Sequence, residues 1–191
     1  MEQRSGGPRE SSVLGERGRI GGKHARGVRR QEAEKKMLDV GQSAPEFTGT
    51  DCWGRTFSLS ALRGRRVVLF FFPKAFTIGC TEETRHFRDN HERIQALGAE
   101  LVGVSVDTVK TQCEFAEKED IHFSLLGDEG RTISKAYDVL WPVLNVDRRV
   151  TYIIGPDGRV ESVIRHEVRV YKHLDDVLRY LSEHPLPAAG A

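Results

Sequence analysis

The sequence predicts an α/β fold in which helices flank a central mixed β-sheet. Two short apolar runs, 67–72 and 101–106, have the composition of strands that are buried on both faces. Helical patterns follow both runs, and two later strand patterns, 150–154 and 159–164, are joined by the turn Gly155-Pro156-Asp157-Gly158. Strands that alternate with helices and then end in a hairpin are typical of this fold class.

An N-terminal β-hairpin is predicted ahead of the first buried strand. Strand-like residues at 47–48 and 56–59 flank Asp51-Cys52-Trp53-Gly54, which has the composition of a turn. A further short strand is predicted at 123–126, beyond the second buried strand. We therefore expect a small hairpin followed by a larger sheet.

Helices are predicted where apolar residues recur at intervals of three and four. The first helix ends before Gly98, and the residues that recur at this spacing are Thr84, Phe87, His91, Ile94 and Leu97. Asp107 is expected to cap the second helix, which extends to about Asp120, and the third covers 129–137. The last helix is followed by Pro185 and Pro187, and its apolar stripe is Leu174, Val177, Leu178 and Leu181.

Length and composition predict a globular protein. With 191 residues and a formal net charge of +1, the whole chain is neither a charged disordered polymer nor a strongly basic nucleic-acid binder. The longest apolar run, 67–72, is far shorter than the roughly 20 residues of a membrane helix, so no membrane association is expected. The first residues lack the apolar region of a secretory signal, and three widely spaced cysteines form no disulfide framework. A cytoplasmic protein with reduced thiols is predicted.

Residues 1–36 are predicted to form a disordered basic extension, and residues 37–191 the folded domain. The extension holds 10 basic and 5 acidic residues, a net charge of +5, whereas the rest holds 19 and 23, a net charge of −4. The extension has seven glycines and few aliphatic side chains, so it cannot bury enough apolar surface to offset the entropy that is lost on ordering. A nucleic-acid-binding arm is the alternative, but without an aromatic residue to stack on a base, a solvated tail is favoured and no nucleic-acid partner is expected.

The segment between the first buried strand and its helix carries the candidate chemistry. Ligands bind at the carboxyl ends of strands in open α/β sheets, and Cys80 falls there, at the start of a helix. Free N–H groups and the helix dipole favour a thiolate at such a position. Gly79 permits close approach of the backbone, Thr77 offers a hydroxyl, and Pro73 fixes the exit from the strand. A buried structural thiol is the alternative for Cys80.

The spacing of these residues resembles the peroxiredoxin active-site motif P-x-x-x-[TS]-x-x-C. Three further segments share the likeness: Gly41-x-x-Ala44-Pro45-x-Phe47, Val104-Ser105-Val106-Asp107 and Arg149-x-Thr151-Tyr152. The resemblance covers about residues 37–182 and is closest to the bacterioferritin-comigratory-protein group, also called the Q type. It implies a thioredoxin-like fold and a thiol-dependent peroxidase that reduces hydrogen peroxide and small organic hydroperoxides without a cofactor.

The resemblance also implies a role for each residue of the motif. Cys80 would be the peroxidatic nucleophile, whose thiolate is oxidised to a sulfenic acid. Arg149 would stabilise the thiolate and polarise the peroxide. The Thr77 hydroxyl and the backbone amides of Gly79 and Cys80 would bind the peroxide, and Pro73 would shield the sulfur from water.

A cation is needed beside Cys80, because Glu82 and Glu83 suit the helix dipole but oppose a nearby thiolate. Arg149 matches the arginine of the family, and Arg148 is its rival. Neighbouring residues of a strand face opposite sides, so only one of the two can point at Cys80, and the spacing of the motif favours Arg149.

The sequence leaves the regeneration of Cys80 open. Many Q-type proteins carry a resolving cysteine five residues after the nucleophile, where this chain has Arg85. Cys113 on the next helix is the candidate resolving cysteine, but it shares a helical face with Val109, and a core thiol is an equally good interpretation. A Cys80–Cys113 bond requires Cα atoms within about 7 Å and local unwinding of the first helix. Cys52 is a poor candidate, and without a resolving cysteine an external thiol would reduce Cys80.

Several expectations about partners follow. Thioredoxin, glutaredoxin or a low-molecular-weight thiol is the expected reductant of a monomer or homodimer. A non-enzymatic redox sensor or interaction module is the alternative function, because a resolving cysteine is not evident.

The histidines lack metal-binding spacing, so no metal site is predicted. Four of them are interpreted as surface residues: His86, His91, His166 and His173.

Overall fold

The computed structural model describes residues 37–187. The predicted basic extension 1–36 and its domain boundary lie outside the described residues and stay predictions. The described residues contain seven strands: β1 Thr48–Thr50, β2 Thr56–Ser58, β3 Arg66–Phe71, β4 Ala99–Ser105, β5 Ser124–Gly127, β6 Val150–Ile154 and β7 Val160–Arg165. A 3-10 helix covers Ser60–Leu62, and the α-helices are α1 Ile78–Asp89, α2 His91–Ala96, α3 Val109–Lys118, α4 Thr132–Ala136 and α5 Tyr171–Glu183.

Five strands form the predicted mixed sheet, in the order β5-β4-β3-β6-β7. Strands β3, β4 and β5 are parallel, whereas β6 is antiparallel to both β3 and β7. The strands β1 and β2 pair separately as the predicted N-terminal hairpin. The α/β class, the mixed sheet and the hairpin are therefore confirmed.

Strand β3 is the centre of the sheet because both of its faces are apolar. Val68 and Phe70 belong to one buried cluster, and Val67, Leu69 and Phe71 belong to the other. This alternation follows from the two-residue period of a strand. The first cluster contains apolar residues of α1, α2, α3 and α5, and the second contains those of α4 and the hairpin region. The strand that leads to Cys80 is thus held from both sides.

The predicted first helix is in fact two helices, and the break lies at Asn90. Its φ of −117° and ψ of 10° are not helical, and its side-chain amide donates to the His86 carbonyl at 3.1 Å. An asparagine side chain that bonds to the backbone competes with helix continuation. Phe87 and Ile94 lie on either side of the break and are both buried in one cluster. The helical spacing of apolar residues therefore continues across the break, and the sequence pattern does not show it.

The predicted cap of the second helix is wrong by one residue. Thr108, not Asp107, is the N-cap of α3, and its hydroxyl accepts from the Thr111 N–H at 3.1 Å. The predicted helix over 129–137 is also shorter, because the Asp128 carboxylate accepts from the N–H groups of Thr132 and Ser134 and α4 begins only there. Asp107 is consequently free for a different role, described below.

Within residues 37–187, no helix is both long enough and apolar enough to cross a membrane.

Candidate active site

Cys80 is the third residue of α1, directly beyond the carboxyl end of β3, and its side chain is 0% exposed. The loop between β3 and α1 contains Pro73, Phe76 with a φ of 63°, and Thr77, the N-cap of α1. The Thr77 carbonyl accepts from the Thr81 N–H at 2.9 Å, which closes the first turn of the helix around Cys80. The sulfur therefore lies where the unpaired N–H groups of a helix start favour negative charge.

The guanidinium of Arg149 contacts this sulfur. Its Nη2 donates to the Cys80 Sγ at 3.4 Å, and Arg149 is buried. The register of the sheet explains why Arg149 lies beside Cys80, because Val150, at the start of β6, pairs with Phe71, at the end of β3. The residue before β6 thus lies beside the loop that follows β3.

Gly79 makes this approach possible. A Cβ atom built on Gly79 would lie 3.2 Å from the Arg149 Nη2. A larger side chain would therefore crowd the guanidinium that contacts the sulfur.

Arg148 points elsewhere. Its Cζ lies 4.5 Å from the centroid of the Trp141 ring, a cation–π contact. The two neighbouring arginines thus face different surroundings, and it is Arg149 whose guanidinium bonds to the Cys80 sulfur.

Glu83 is the second partner of Arg149, and sequence reasoning missed it. Glu83 lies three residues after Cys80 on α1, is 1% exposed, and its Oε2 accepts from Arg149 Nη1. Burial raises the pKa of Glu83 to about 8, although the charge of Arg149 acts in the opposite direction. Burial also lowers the pKa of Arg149, but the charges of Glu83 and Cys80 outweigh it, so the pKa lies above its ordinary value. The guanidinium remains a cation between two acidic groups.

A buried histidine lies behind this pair. His173 is 0% exposed, which corrects the expectation of a surface residue. Its Nε2 lies 3.0 Å from the His166 carbonyl and its Nδ1 lies 2.9 Å from the Thr151 hydroxyl. Because a carbonyl can only accept, a neutral ring with its proton on Nε2 satisfies both contacts. Burial lowers the pKa of His173 to about 4, so the ring is neutral at pH 7.

Thr77 and Pro73 lie at the mouth of the site. The Thr77 hydroxyl donates to the Lys74 carbonyl at 3.1 Å, and its side chain is exposed. An oxygen that donates one hydrogen bond keeps lone pairs with which to accept another. Pro73 is half-buried at the start of the loop. The structure thus brings Cys80, Gly79 and Arg149 into contact, with Thr77 on the same helix start.

Asp107 positions the loop that carries this mouth. Its Oδ2 accepts from the Ala75 N–H and from the Ser105 hydroxyl, both at 2.7 Å. Gln112 of α3 donates to the same hydroxyl at 2.6 Å, so the buried network ties the loop to β4 and α3. The Val104–Asp107 motif at the end of β4 indicated that this segment matters, but it did not indicate the contact.

The candidate resolving cysteine lies in a different place. Cys113 of α3 lines a cleft of about 370 Å³ together with Cys52 and Trp53, and Cys80 is not among its lining residues. All three cysteines are free thiols. Burial, followed by a hydrogen bond from Cys113, raises the pKa of Cys52 to about 12. The pairing of Cys52 with Cys113 was not predicted.

The fold and the cysteine–arginine site together define a thiol-based redox protein of thioredoxin-like architecture. Residues 40–163 match the AhpC/TSA family. The chain is 37% identical over 145 residues to a chloroplastic peroxiredoxin Q of Populus jackii, which covers 75% of this chain and 68% of the relative. It is 33% identical to peroxiredoxin Bcp of Escherichia coli strain K12, which covers 77% and 97%.

Solved structures agree with these relatives. Peroxidoxin BcpB from Mycobacterium tuberculosis superposes with a TM-score of 0.71 at 34% identity, which covers 76% of this chain and 97% of that one. Bacterioferritin comigratory protein from Xanthomonas campestris, whose structure is described with its alkyl peroxide reduction activity, superposes with a TM-score of 0.70 at 28% identity, over 78% and 100%. The chain belongs to the AhpC/TSA family, as a peroxiredoxin similar to the Q and Bcp types.

Proposed function

We propose that Cys80 is the peroxidatic nucleophile of a thiol-dependent peroxidase. The contact between the Cys80 Sγ and the Arg149 Nη2 carries the proposal, because a thiolate is the nucleophilic form of cysteine and a guanidinium favours that form. The chain is an enzyme of the peroxiredoxin family, and Cys80 is the cysteine whose surroundings suit the chemistry.

The reaction transfers one peroxide oxygen to sulfur. The Cys80 thiolate attacks the terminal oxygen of a hydroperoxide, an S–O bond forms, and the O–O bond breaks. The second oxygen leaves with the bonding electrons and takes up a proton to become water or an alcohol. Cys80 is left as a sulfenic acid.

Donors around the sulfur stabilise the leaving oxygen, which gains negative charge as the O–O bond breaks. Arg149 supplies the cation, and Glu83 holds the guanidinium from its other side. In this proposal the backbone amides of Gly79 and Cys80 complete the donor set, and the Thr77 hydroxyl, whose proton goes to the Lys74 carbonyl, accepts from the peroxide. Donors that are fixed before the peroxide binds lower the reorganisation required at the moment of reaction.

The mouth of the site suits hydrogen peroxide and small organic hydroperoxides. Ile78 is 85% exposed and Phe76 is 43% exposed, and both lie within four residues of Cys80. Val170 adds an apolar contact beside Gly79. An alkyl group of a hydroperoxide can rest on this apolar rim while its peroxide reaches the buried sulfur.

Regeneration requires a second thiol. Peroxiredoxins use thioredoxin-type reductants, and for this chain we propose thioredoxin, glutaredoxin or a low-molecular-weight thiol, acting directly on Cys80 or through Cys113. Direct resolution by Cys113 requires the first turn of α1 to unwind, because Cys80 is buried and Cys113 lines another cleft. A monomer or homodimer in the cytoplasm is the accompanying proposal, although several relatives are named as chloroplastic.

A peroxide-consumption assay with a thioredoxin system tests the proposal. Wild type is expected to consume many equivalents of hydrogen peroxide, whereas Cys80→Ser should fall to the rate of the buffer control. Cys52→Ser serves as the matched control for loss of a thiol and should retain consumption. Sustained turnover by Cys80→Ser would contradict the role of Cys80, and oxidation without turnover in wild type would favour the redox sensor.

A further inference from the structure

Two cysteines that the peroxidase chemistry does not require as a pair line one cleft beside α3. Cys52 belongs to the turn of the N-terminal hairpin, and Cys113 belongs to α3, 61 residues later. Both line the cleft that is also bounded by Trp53 and His122. The two side chains also interact, because Cys113 adds to the effect of burial in raising the pKa of Cys52.

The hairpin turn is held firmly, so this proximity is a property of the fold. The Asp51 carboxylate accepts from the N–H groups of Trp53 and Arg55, each at 3.0 Å, and it also accepts from the Ser124 hydroxyl of β5 at 3.3 Å. Gly49 of β1 packs on Leu126 of β5. Since β5 also packs against α3, both thiols are presented by elements fixed to the same strand.

Both thiols are accessible from the cleft that they share. Cys52 and Cys113 are each half-buried and both line it, and Cys52 also packs against the larger apolar cluster. An external disulfide that enters the cleft can therefore react with Cys113, and Cys52 then lies beside the mixed disulfide as the second thiol.

We propose that Cys52 and Cys113 form a second redox-active dithiol, which closes to an intramolecular disulfide by exchange with an external disulfide such as glutathione disulfide. The Cys113 thiolate attacks the external disulfide, so that a mixed disulfide forms and one thiolate leaves. The Cys52 sulfur then displaces the second thiol from Cys113, and its proton goes to that leaving group. Two protein thiols lose two electrons and two protons, and the external disulfide becomes two thiols.

The closed pair has a consequence that rests on the proposed function of Cys80. A Cys113 sulfur bonded to Cys52 has no thiol to offer to a Cys80 sulfenic acid. The cell's disulfide balance then decides whether Cys113 is available for internal resolution or whether an external thiol must reduce Cys80 directly.

The test uses the full chain with Cys80→Ser, so that its outcome does not depend on peroxidase activity. The reduced variant is equilibrated in glutathione buffers of increasing disulfide fraction, quenched by acid and alkylated. Non-reducing trypsin digestion separates the cysteines, since peptides 37–55, 75–85 and 111–118 each contain one cysteine position. The expected product is peptide 37–55 linked to peptide 111–118, in a protein lighter by two hydrogen atoms.

Two further variants in the same background make the result specific. Cys52→Ser should accumulate glutathione on Cys113, because the second step is blocked. A matched control combines Cys113→Ser with Val109→Cys, which moves the thiol one helical turn to an exposed position outside the cleft and should abolish the link. Circular dichroism and thermal unfolding verify that each variant is folded.

Two outcomes would overturn the proposal. One is independent glutathionylation of Cys52 and Cys113 without a linked peptide. The other is that both stay reduced in a buffer that fully oxidises a reference dithiol peptide. Because wild-type peroxide turnover is measured separately, either outcome leaves the assignment of Cys80 intact.

Discussion

Replacement of Arg149 by Gln is expected to slow the oxidation of Cys80 by peroxide about 10- to 150-fold. At the observed 3.4 Å and an effective dielectric constant of about 20, two unit charges attract by about 5 kcal/mol, which is a ceiling. The net worth of a hydrogen bond to a charged group is about 1.5–3 kcal/mol, and each 1.36 kcal/mol is tenfold in rate. Glutamine also leaves the buried Glu83 carboxyl without its cationic partner. This loss is expected to slow the oxidation of Cys80 further.

The assay follows sulfenic acid formation on Cys80 by rapid mixing with hydrogen peroxide and trapping at fixed times. Arg148→Gln is the matched control, because it removes the neighbouring guanidinium, which stacks on Trp141 instead of contacting the sulfur. Its rate should stay within about twofold of wild type, because this guanidinium lies on the Trp141 ring and not at the sulfur. Thermal unfolding of both variants separates lost chemistry from lost structure. A folded Arg149→Gln protein that reacts at the wild-type rate, or an equal loss in the control, would refute the reasoning.

Three further perturbations probe the buried polar groups. Asp107→Ala removes the acceptor of the Ala75 N–H and the Ser105 hydroxyl, so urea unfolding should show a loss of about 1–3 kcal/mol; an unchanged midpoint would argue against the network. Because burial lowers the pKa of His173 from 6.5 to about 4, the folded state binds fewer protons than the unfolded state in that window. Stability should therefore fall by at most about 3 kcal/mol as the pH drops through it, and His173→Gln should flatten this slope in urea titrations at several pH values. Burial raises the pKa of Glu83 from 4.5 to about 8, so between these pH values the folded state binds more protons than the unfolded state. The contribution of Glu83 to stability should therefore fall as the pH rises through this range, and Glu83→Gln should lack that fall in the same titrations. A stability curve of Glu83→Gln that runs parallel to that of wild type would contradict this prediction.

The fold was predictable where a pattern reports burial. The apolar run of β3 and the alternation around the turn before β7 identified the sheet, and the predicted strand over 150–154 has the observed bounds. Breaks in a helix were not predictable where the helical spacing of apolar residues continues across them. Asn90 divides one periodic segment into α1 and α2, and Thr108 takes the capping role because Asp107 bonds to a loop 32 residues earlier in the chain.

The site was predictable to the extent that its residues are close in sequence or share a motif. The spacing around Cys80 and the motif spacing to Thr151 that favoured Arg149 over Arg148 are both local in sequence, and the structure places Arg149 at the sulfur and Arg148 on Trp141. Glu83 was predicted only as a charge that opposes a thiolate, because its partner Arg149 lies 66 residues later, just before β6. The meeting of Cys52 and Cys113 depends on the packing of β1 on β5, which no local pattern encodes.

The most direct test of the central claim is to identify the first oxidised residue. Reduced wild-type protein receives one equivalent of hydrogen peroxide in the presence of a sulfenic-acid trap, and the three cysteine peptides are mapped at the earliest time that gives product. The trap is expected first on peptide 75–85, at Cys80, with Cys52 and Cys113 still reduced. A first modification on peptide 37–55 or 111–118, with Cys80 unmodified, would contradict the assignment of Cys80 as the residue that reacts with peroxide.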